Sequence, residues 1–174
     1  MTMTMSSGLN LTRQSLRLCA DPTRVISRPY SPHGDGDGDG RTRAIIDRVL
    51  ALPDEAVDSL LAQILADFSS RHRDITRVLW THFDRVAPLV PHDRPVSSEQ
   101  RLLIGSYFTS EYSIESVALF NPSIVTHPDQ THLGRDEQRV ILSLRACGEG
   151  HISSIEFRSG VLDAAGNLTI DPIS

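Results

Sequence analysis

The spacing of hydrophobic residues divides the chain into a helical part and a strand-forming part. Between residues 41 and 119, apolar positions recur every three or four residues, which is the spacing of a buried helix face. Prolines at 53, 88 and 91 separate the periodic segments. The predicted helices are 41–52, 54–68, about 74–86, and 98–108 capped by Ser97 or Ser98, with a short helical continuation over 111–119.

Beyond residue 120 the hydrophobic period approaches two, which indicates β-strands. In the segment His151–Arg158, the even-numbered residues are expected to face one way and His151, Ser153, Ile155 and Phe157 the other. A Gly-Glu-Gly-His turn precedes this segment. The predicted strands are 124–125, 138–146, 151–158, 161–163 and 168–170.

Residues 1–40 are rich in Ser, Thr, Pro and Gly and are expected to be loosely ordered. Within them, Asp21–Tyr30 is predicted to lie extended on a domain surface. The Asp-Gly run over 33–40 matches the opening of a calcium loop, but its twelfth position is Ile46 where a glutamate is required. A flexible linker is the favoured interpretation. The predicted organisation is therefore a loose segment (1–40), a helical region (41–119) and a strand region (120–174).

Composition and charge narrow the classes of function. The chain has 174 residues, enough for a hydrophobic core, and a formal net charge of -5. All 17 basic residues are arginine, which excludes Schiff-base or P-loop lysine chemistry within this chain. Because the net charge is negative, there is no overall positive field that would indicate a nucleic acid or an anionic membrane as partner. No apolar run approaches the roughly 18 residues that span a bilayer. A cytoplasmic protein is expected.

Two clusters carry residue types that bind metals or react as nucleophiles. His127, Asp129 and His132 are potential zinc ligands, but Pro128 and the loop that follows indicate a surface excursion. The third-ranked hypothesis for the function is a metal-dependent hydrolase that uses these three residues. The favoured interpretation is that the chain binds no metal. Cys147 ends a buried strand and is interpreted as a packed thiol.

The turn before the strand 151–158 gathers polar side chains that suit a ligand. Glu149 and His151 lie next to Arg145 in sequence, with serines at 153 and 154. Arginine offers a planar donor fork, glutamate accepts hydrogen bonds, and histidine and serine do either, so the group suits sugar hydroxyls or a phosphate. The alternative is a polar turn whose charges pair with one another. The residues alone leave both interpretations open.

Several segments together resemble family 130 of the glycoside hydrolases, which comprises β-mannoside phosphorylases and related hydrolases. The similarity is to its long-chain branch, which has a helical N-terminal region. The resembling segments are Asp21–Val25, Arg28–Tyr30, Arg101–Thr109, Glu111–Glu115, Ala118–Val125, His127–Gln130, Leu142–Ala146 and Gly148–Arg158.

This resemblance implies a fold, an activity and a set of site residues. The fold class is α+β as a fragment, in which a helical region precedes the first blade or blades of a five-bladed β-propeller. The implied activity is inverting glycosyl transfer from a β-mannoside oligosaccharide to inorganic phosphate, or the related hydrolysis, with no cofactor other than phosphate as co-substrate. A single carboxylic acid then suffices where inverting hydrolases use two. By position, the residues that would line the sugar site are Asn121, Arg145, Glu149 and His151.

The sequence departs from the family pattern at the catalytic acid. No Glu-Asp-x-Arg segment occurs, and the phosphate-binding lysine is absent. The resemblance places these groups beyond Ser174, so the chain alone is expected to be inactive, and its status as an enzyme stays open. An exposed blade edge would favour self-association. The alternative function is a non-catalytic module that binds a sugar or a protein.

Overall fold

The chain folds into a mixed α+β structure, which confirms the predicted class at this level. The structure, a computed structural model, describes residues 13–32 and 38–172. These residues form four α-helices and two antiparallel sheets. The helices are α1 (Gly38–Leu50), α2 (Asp54–Phe68), α3 (Ile75–Val86) and α4 (Ser98–Tyr107), and the strands are β1 (Val25–Pro29), β2 (Thr109–Ser113), β3 (Ala118–Thr126), β4 (Gln138–Cys147), β5 (Ser153–Leu162) and β6 (Leu168–Ile170).

Two compact units make up the described chain. The helical unit contains Asp21–Val117 together with Cys147–Ser153, and it holds all four helices and the ribbon β1–β2. The sheet unit contains residues 13–20, 118–146 and 154–172. A short segment of the chain, Cys147–Ser153, therefore leaves the sheet unit and returns to the helical one.

The predicted helices form the core of the helical unit. Ser97, one of the two predicted caps, is the N-cap of α4, and it forms a capping box with Gln100. Gly105 brings α4 close to α3, because a Cβ at this position would lie 2.1 Å from the carbonyl oxygen of Leu79. The main cluster of buried side chains is Ile46, Val49, Leu50, Val57, Phe83, Leu103, Ile104 and Phe108.

The ribbon β1–β2 corrects one prediction and confirms another. The segment 111–119, predicted to continue as a helix, instead contributes to strands β2 and β3. Strand β2 pairs antiparallel with β1, so that Val25 lies opposite Ser113 and Ser27 opposite Glu111. Pairing with a strand far away in sequence overrides the local helical spacing. The extended conformation predicted for Asp21–Tyr30 is confirmed over Val25–Pro29.

The Asp-Gly run and the N-terminus are described only in part. Residues 1–12 and 33–37 lie outside the described residues, and with them most of the predicted linker and its calcium-like aspartates. Gly38–Gly40 form the first turn of α1, so this end of the predicted linker is helical.

The sheet unit is a four-stranded antiparallel sheet in the order β3-β4-β5-β6. Its core contains Val140, Leu142 and Leu144. The predicted alternation along β5 is confirmed, but the charged residues Glu156 and Arg158 are buried, whereas the apolar Ile155 and Phe157 are 59% and 64% exposed. Strand β5 thus exposes the large apolar side chains of Ile155 and Phe157.

Candidate functional site

The four residues predicted to line a sugar site are divided between the two units. Asn121 and Arg145 belong to the sheet unit, while Glu149 and His151 belong to the helical unit. The Arg145 side chain is exposed, and its guanidinium carbon lies 5.3 Å from the centre of the Phe120 ring. Each pair is therefore considered within its own unit.

Two of these residues have an unusual backbone conformation. Asn121 has a φ of 53° and His151 a φ of 59°. Residues with a Cβ rarely occupy this left-handed region, although asparagine tolerates it better than most. Backbone strain of this kind often accompanies functional sites.

The turn that carries Glu149 is held tightly against the end of β2. Gly148 is essential for this contact, because a Cβ there would lie 2.2 Å from the Ser113 carbonyl oxygen. The Gly148 N–H donates to the Ile152 carbonyl at 2.9 Å. The carboxylate of Glu149 accepts a hydrogen bond from the Ser113 N–H at 3.0 Å. The turn and the ribbon therefore position each other.

A cavity of about 320 Å³ with charged, hydroxyl and apolar side chains in its lining opens beside this turn, entirely within the helical unit. We call it the polar cavity. Ser113 is one of its lining residues, and the Oγ atom of this residue is buried and has no hydrogen-bond partner among the described residues. A buried hydroxyl without a partner is uncommon in folded proteins. The residues that line the cavity are Pro22, Thr23, Val25, Arg71, Glu111, Ser113 and Glu149.

Glu111 is the most heavily bonded carboxylate of the cavity wall. One of its oxygens accepts from Nε and Nη2 of Arg71, at 3.2 and 3.0 Å, and the other contacts Nε2 of His72. The guanidinium of Arg71 also stacks over Phe68, 4.7 Å from the ring centre. Arg71 is therefore paired within the fold and does not belong to a solvated helix face. This arginine follows α2 in a short 3₁₀ turn and clamps the ribbon.

An adjacent ion pair anchors the segment that supplies Pro22 and Thr23. The side chain of Glu115 is fully buried and forms an ion pair with Arg24. The other carboxylate oxygen of Glu115 accepts from the Asp21 N–H at 3.2 Å. Because this pair ties the N-terminal segment to the end of β2, it supports one side of the polar cavity.

Sequence reasoning identified Glu149 but missed the rest of this cavity. Arg71, Glu111 and Ser113 come together only when β1 and β2 pair and the 3₁₀ turn packs on them. One signal was present: the resembling segments include Asp21–Val25 and Glu111–Glu115, which supply five of the lining residues.

The suggested metal ligands form a local turn. The ring of His127 accepts the N–H of Asp129 through Nδ1 at 2.9 Å. The carboxylate of Asp129 accepts from the N–H and the hydroxyl of Thr131, and these bonds lower the pKa of Asp129. Within the described residues, no three His, Cys, Asp or Glu side chains are grouped so as to hold a metal ion.

No helix in the described part of the chain has the length and apolar character needed to cross a membrane.

Comparisons of the chain with protein-family models, curated proteins and solved structures found no match. The resemblance to glycoside hydrolase family 130 therefore stays a hypothesis.

Proposed function

We propose that this chain is part of a carbohydrate-active protein that resembles the β-mannoside phosphorylases and hydrolases of family 130, and that its polar cavity binds a sugar. The observation that carries the proposal is the composition of this cavity. It combines two carboxylates, a guanidinium and two hydroxyl side chains in about 320 Å³. Sites of this size hold small ligands, and mixed donors and acceptors suit a molecule rich in hydroxyl groups.

The exposed side chain of Glu149 supports a ligand that is rich in hydroxyl groups. A sugar hydroxyl can donate to Glu149, which the Ser113 N–H already holds in place at 3.0 Å. The ligand would thus add a hydrogen bond to a carboxylate that the fold already holds in place.

The strand order of the sheet unit supports the β-propeller that the family resemblance implies. Four antiparallel strands joined in sequential order are the unit that β-propellers repeat around an axis. On this interpretation the sheet is a propeller blade. Since no Glu-Asp-x-Arg segment occurs in the sequence, the proposal assigns binding of the β-mannoside to the described residues, and not proton transfer to the leaving group.

The test is calorimetric titration of the 174-residue protein with a β-1,4-linked mannobiose. We expect binding that weakens about tenfold in Glu149→Ala, since a hydrogen bond to a charged group contributes roughly 1.5–3 kcal/mol. Glu137→Ala is the matched control, because Glu137 is also exposed and accepts a backbone N–H, that of Gly134, at 2.7 Å. No binding by the unmodified protein, or equal weakening in both variants, would contradict the proposal.

A second candidate, a non-catalytic module that binds a protein, is favoured by one observation. The sheet unit exposes large apolar side chains, namely Ile124, Val125, Ile155 and Phe157. Such residues are typical of interaction surfaces, and exposed strands can pair with other chains. Glu149→Ala should weaken sugar binding and should leave self-association by sedimentation unchanged. Phe157→Ser should do the reverse.

A further inference from the structure

A second cavity of the helical unit, of about 330 Å³, lies between α3 and the end of the ribbon β1–β2. We call it the His82 cavity. It shares no lining residue with the polar cavity, and one arginine but no carboxylate lines it. Besides His82 and Arg85, its lining residues are Pro29, Tyr30, Ser31, Val86 and Phe108.

Hydrogen bonds determine which ring nitrogen of His82 carries the proton. The Thr109 hydroxyl donates its single hydrogen to the Gly105 carbonyl at 2.8 Å. Its oxygen lies 2.7 Å from Nδ1 of His82 and therefore accepts, so Nδ1 is the protonated nitrogen. In the neutral ring, Nε2 then has a lone pair and can only accept a hydrogen bond.

The lone pair of Nε2 has no partner within the described residues, although His82 is only 6% exposed. The fully enclosed side-chain atoms without a partner in this part of the chain are Oγ of Ser113 and Nε of Arg139, so Nε2 of His82 keeps accessible surface. Because His82 lines the cavity, a ligand there can reach this nitrogen. A buried polar side chain with an open acceptor is uncommon in folded proteins.

Arg85 gives the same cavity a positive charge. Its side chain is exposed and forms no ion pair or hydrogen bond with the described residues. It follows His82 by three positions in α3, so the two side chains share one face of the helix. Burial and the charge of Arg85 lower the pKa of His82, so the ring is neutral at pH 7.5. The cavity therefore joins a cation that suits a carboxylate to an acceptor that needs a donor.

We propose that the His82 cavity binds a small hydroxy acid with an apolar substituent. The carboxylate pairs with Arg85, the hydroxyl donates to Nε2 of His82, and the substituent contacts Pro29 and Val86. A carboxylic acid without the hydroxyl would leave Nε2 unpaired, and a neutral alcohol would leave Arg85 unpaired. This site does not depend on the proposed function, since sugar binding in the polar cavity uses none of its residues.

The experiment compares three ligands that differ in one group each. Mandelate, phenylacetate (without the hydroxyl) and mandelamide (without the charge) are titrated into the 174-residue protein at pH 7.5 and low salt, and binding is followed by NMR. We expect mandelate to bind about fivefold more tightly than phenylacetate, the effect of one hydrogen bond. Its preference over mandelamide should also be about fivefold, the effect of one exposed charge pair, and should shrink in about 0.5 M sodium chloride.

Variants assign each preference to its residue. Arg85→Gln should abolish the preference for mandelate over mandelamide. Arg77→Gln is the matched control and should keep it, because Arg77 is exposed on the same helix but does not line the cavity. His82→Leu should abolish the preference over phenylacetate. In the unmodified protein, the ring nitrogen signals of His82 should show the proton on Nδ1, and mandelate, unlike phenylacetate, should shift the Nε2 signal.

Several results would overturn the inference. They are the absence of saturable binding by mandelate, equal affinities for mandelate and phenylacetate, equal losses in the two arginine variants, and a proton on Nε2 in the free protein. If His82→Leu does not fold, as judged by circular dichroism, the Nε2 signal of the unmodified protein decides. Sugar binding in the polar cavity is unaffected by any of these results.

Discussion

Replacing Gly148 with alanine should destabilise the protein and open the polar cavity. The new Cβ would lie 2.2 Å from the Ser113 carbonyl oxygen and 2.7 Å from the Ile114 Cα, both of them backbone atoms. Since ordinary contacts need about 3.5 Å, the turn must move by about 1 Å. Overpacking of this kind costs about 1–3 kcal/mol, and the hydrogen bond between Glu149 and the Ser113 N–H is weakened as well.

We therefore expect a loss of about 2–3 kcal/mol in the free energy of unfolding, measured by urea denaturation, and faster hydrogen exchange at the Ser113 amide. Gly134→Ala is the control, because its Cβ would meet only the flexible side chain of Glu137, at 3.1 Å. That variant should change stability by less than about 0.5 kcal/mol. If Gly148→Ala were as stable as the control and kept the Ser113 amide protected, the close packing of the turn on β2 would be refuted.

Three further changes test other parts of the helical unit. Burial and the nearby Arg85 lower the pKa of His82 from 6.5, so stability should fall as pH drops below 6.5 and level off below the lowered pKa. His82→Gln should flatten this dependence of stability on pH, measured by thermal melts. An unchanged slope in that variant would contradict the prediction. Glu115→Ala removes the buried partner of Arg24 and should cost about 2–3 kcal/mol in urea denaturation, whereas replacing both residues with leucine should recover most of the loss. Ser97→Ala should cost about 1 kcal/mol by breaking the capping box, and Ser97→Asp should retain most of the stability.

The helices were predictable because their signals are local. The spacing of apolar residues, the prolines and the Ser97 cap lie within each segment, and α2 and α4 form where these signals place them. The ribbon was less predictable, since β2 owes its strand conformation to pairing with β1, more than eighty residues away. In β5 the period was correct, but a period does not say which face is buried.

The candidate site shows the same limit more sharply. Glu149 could be selected from its turn, since a carboxylate between two glycines is visible in the sequence. Ser113 has no local signal, because its significance comes from burial and from the lack of a partner for its hydroxyl. Arg71 has no local signal either, because its acceptor, Glu111, is brought to it only by the ribbon.

The return of Cys147–Ser153 to the helical unit has a consequence for how the protein is made. The N–H of Val117 donates to the Cys147 carbonyl, and Gly148 packs on Ser113, so the helical unit needs residues that are synthesised about thirty positions after its last helix and strand. During translation, β3 and β4 must leave the ribosome before the polar cavity can close. A nascent chain that has emerged only as far as residue 130 would hold its helices but an unfinished cavity, and the cavity can close only once Ser153 has emerged.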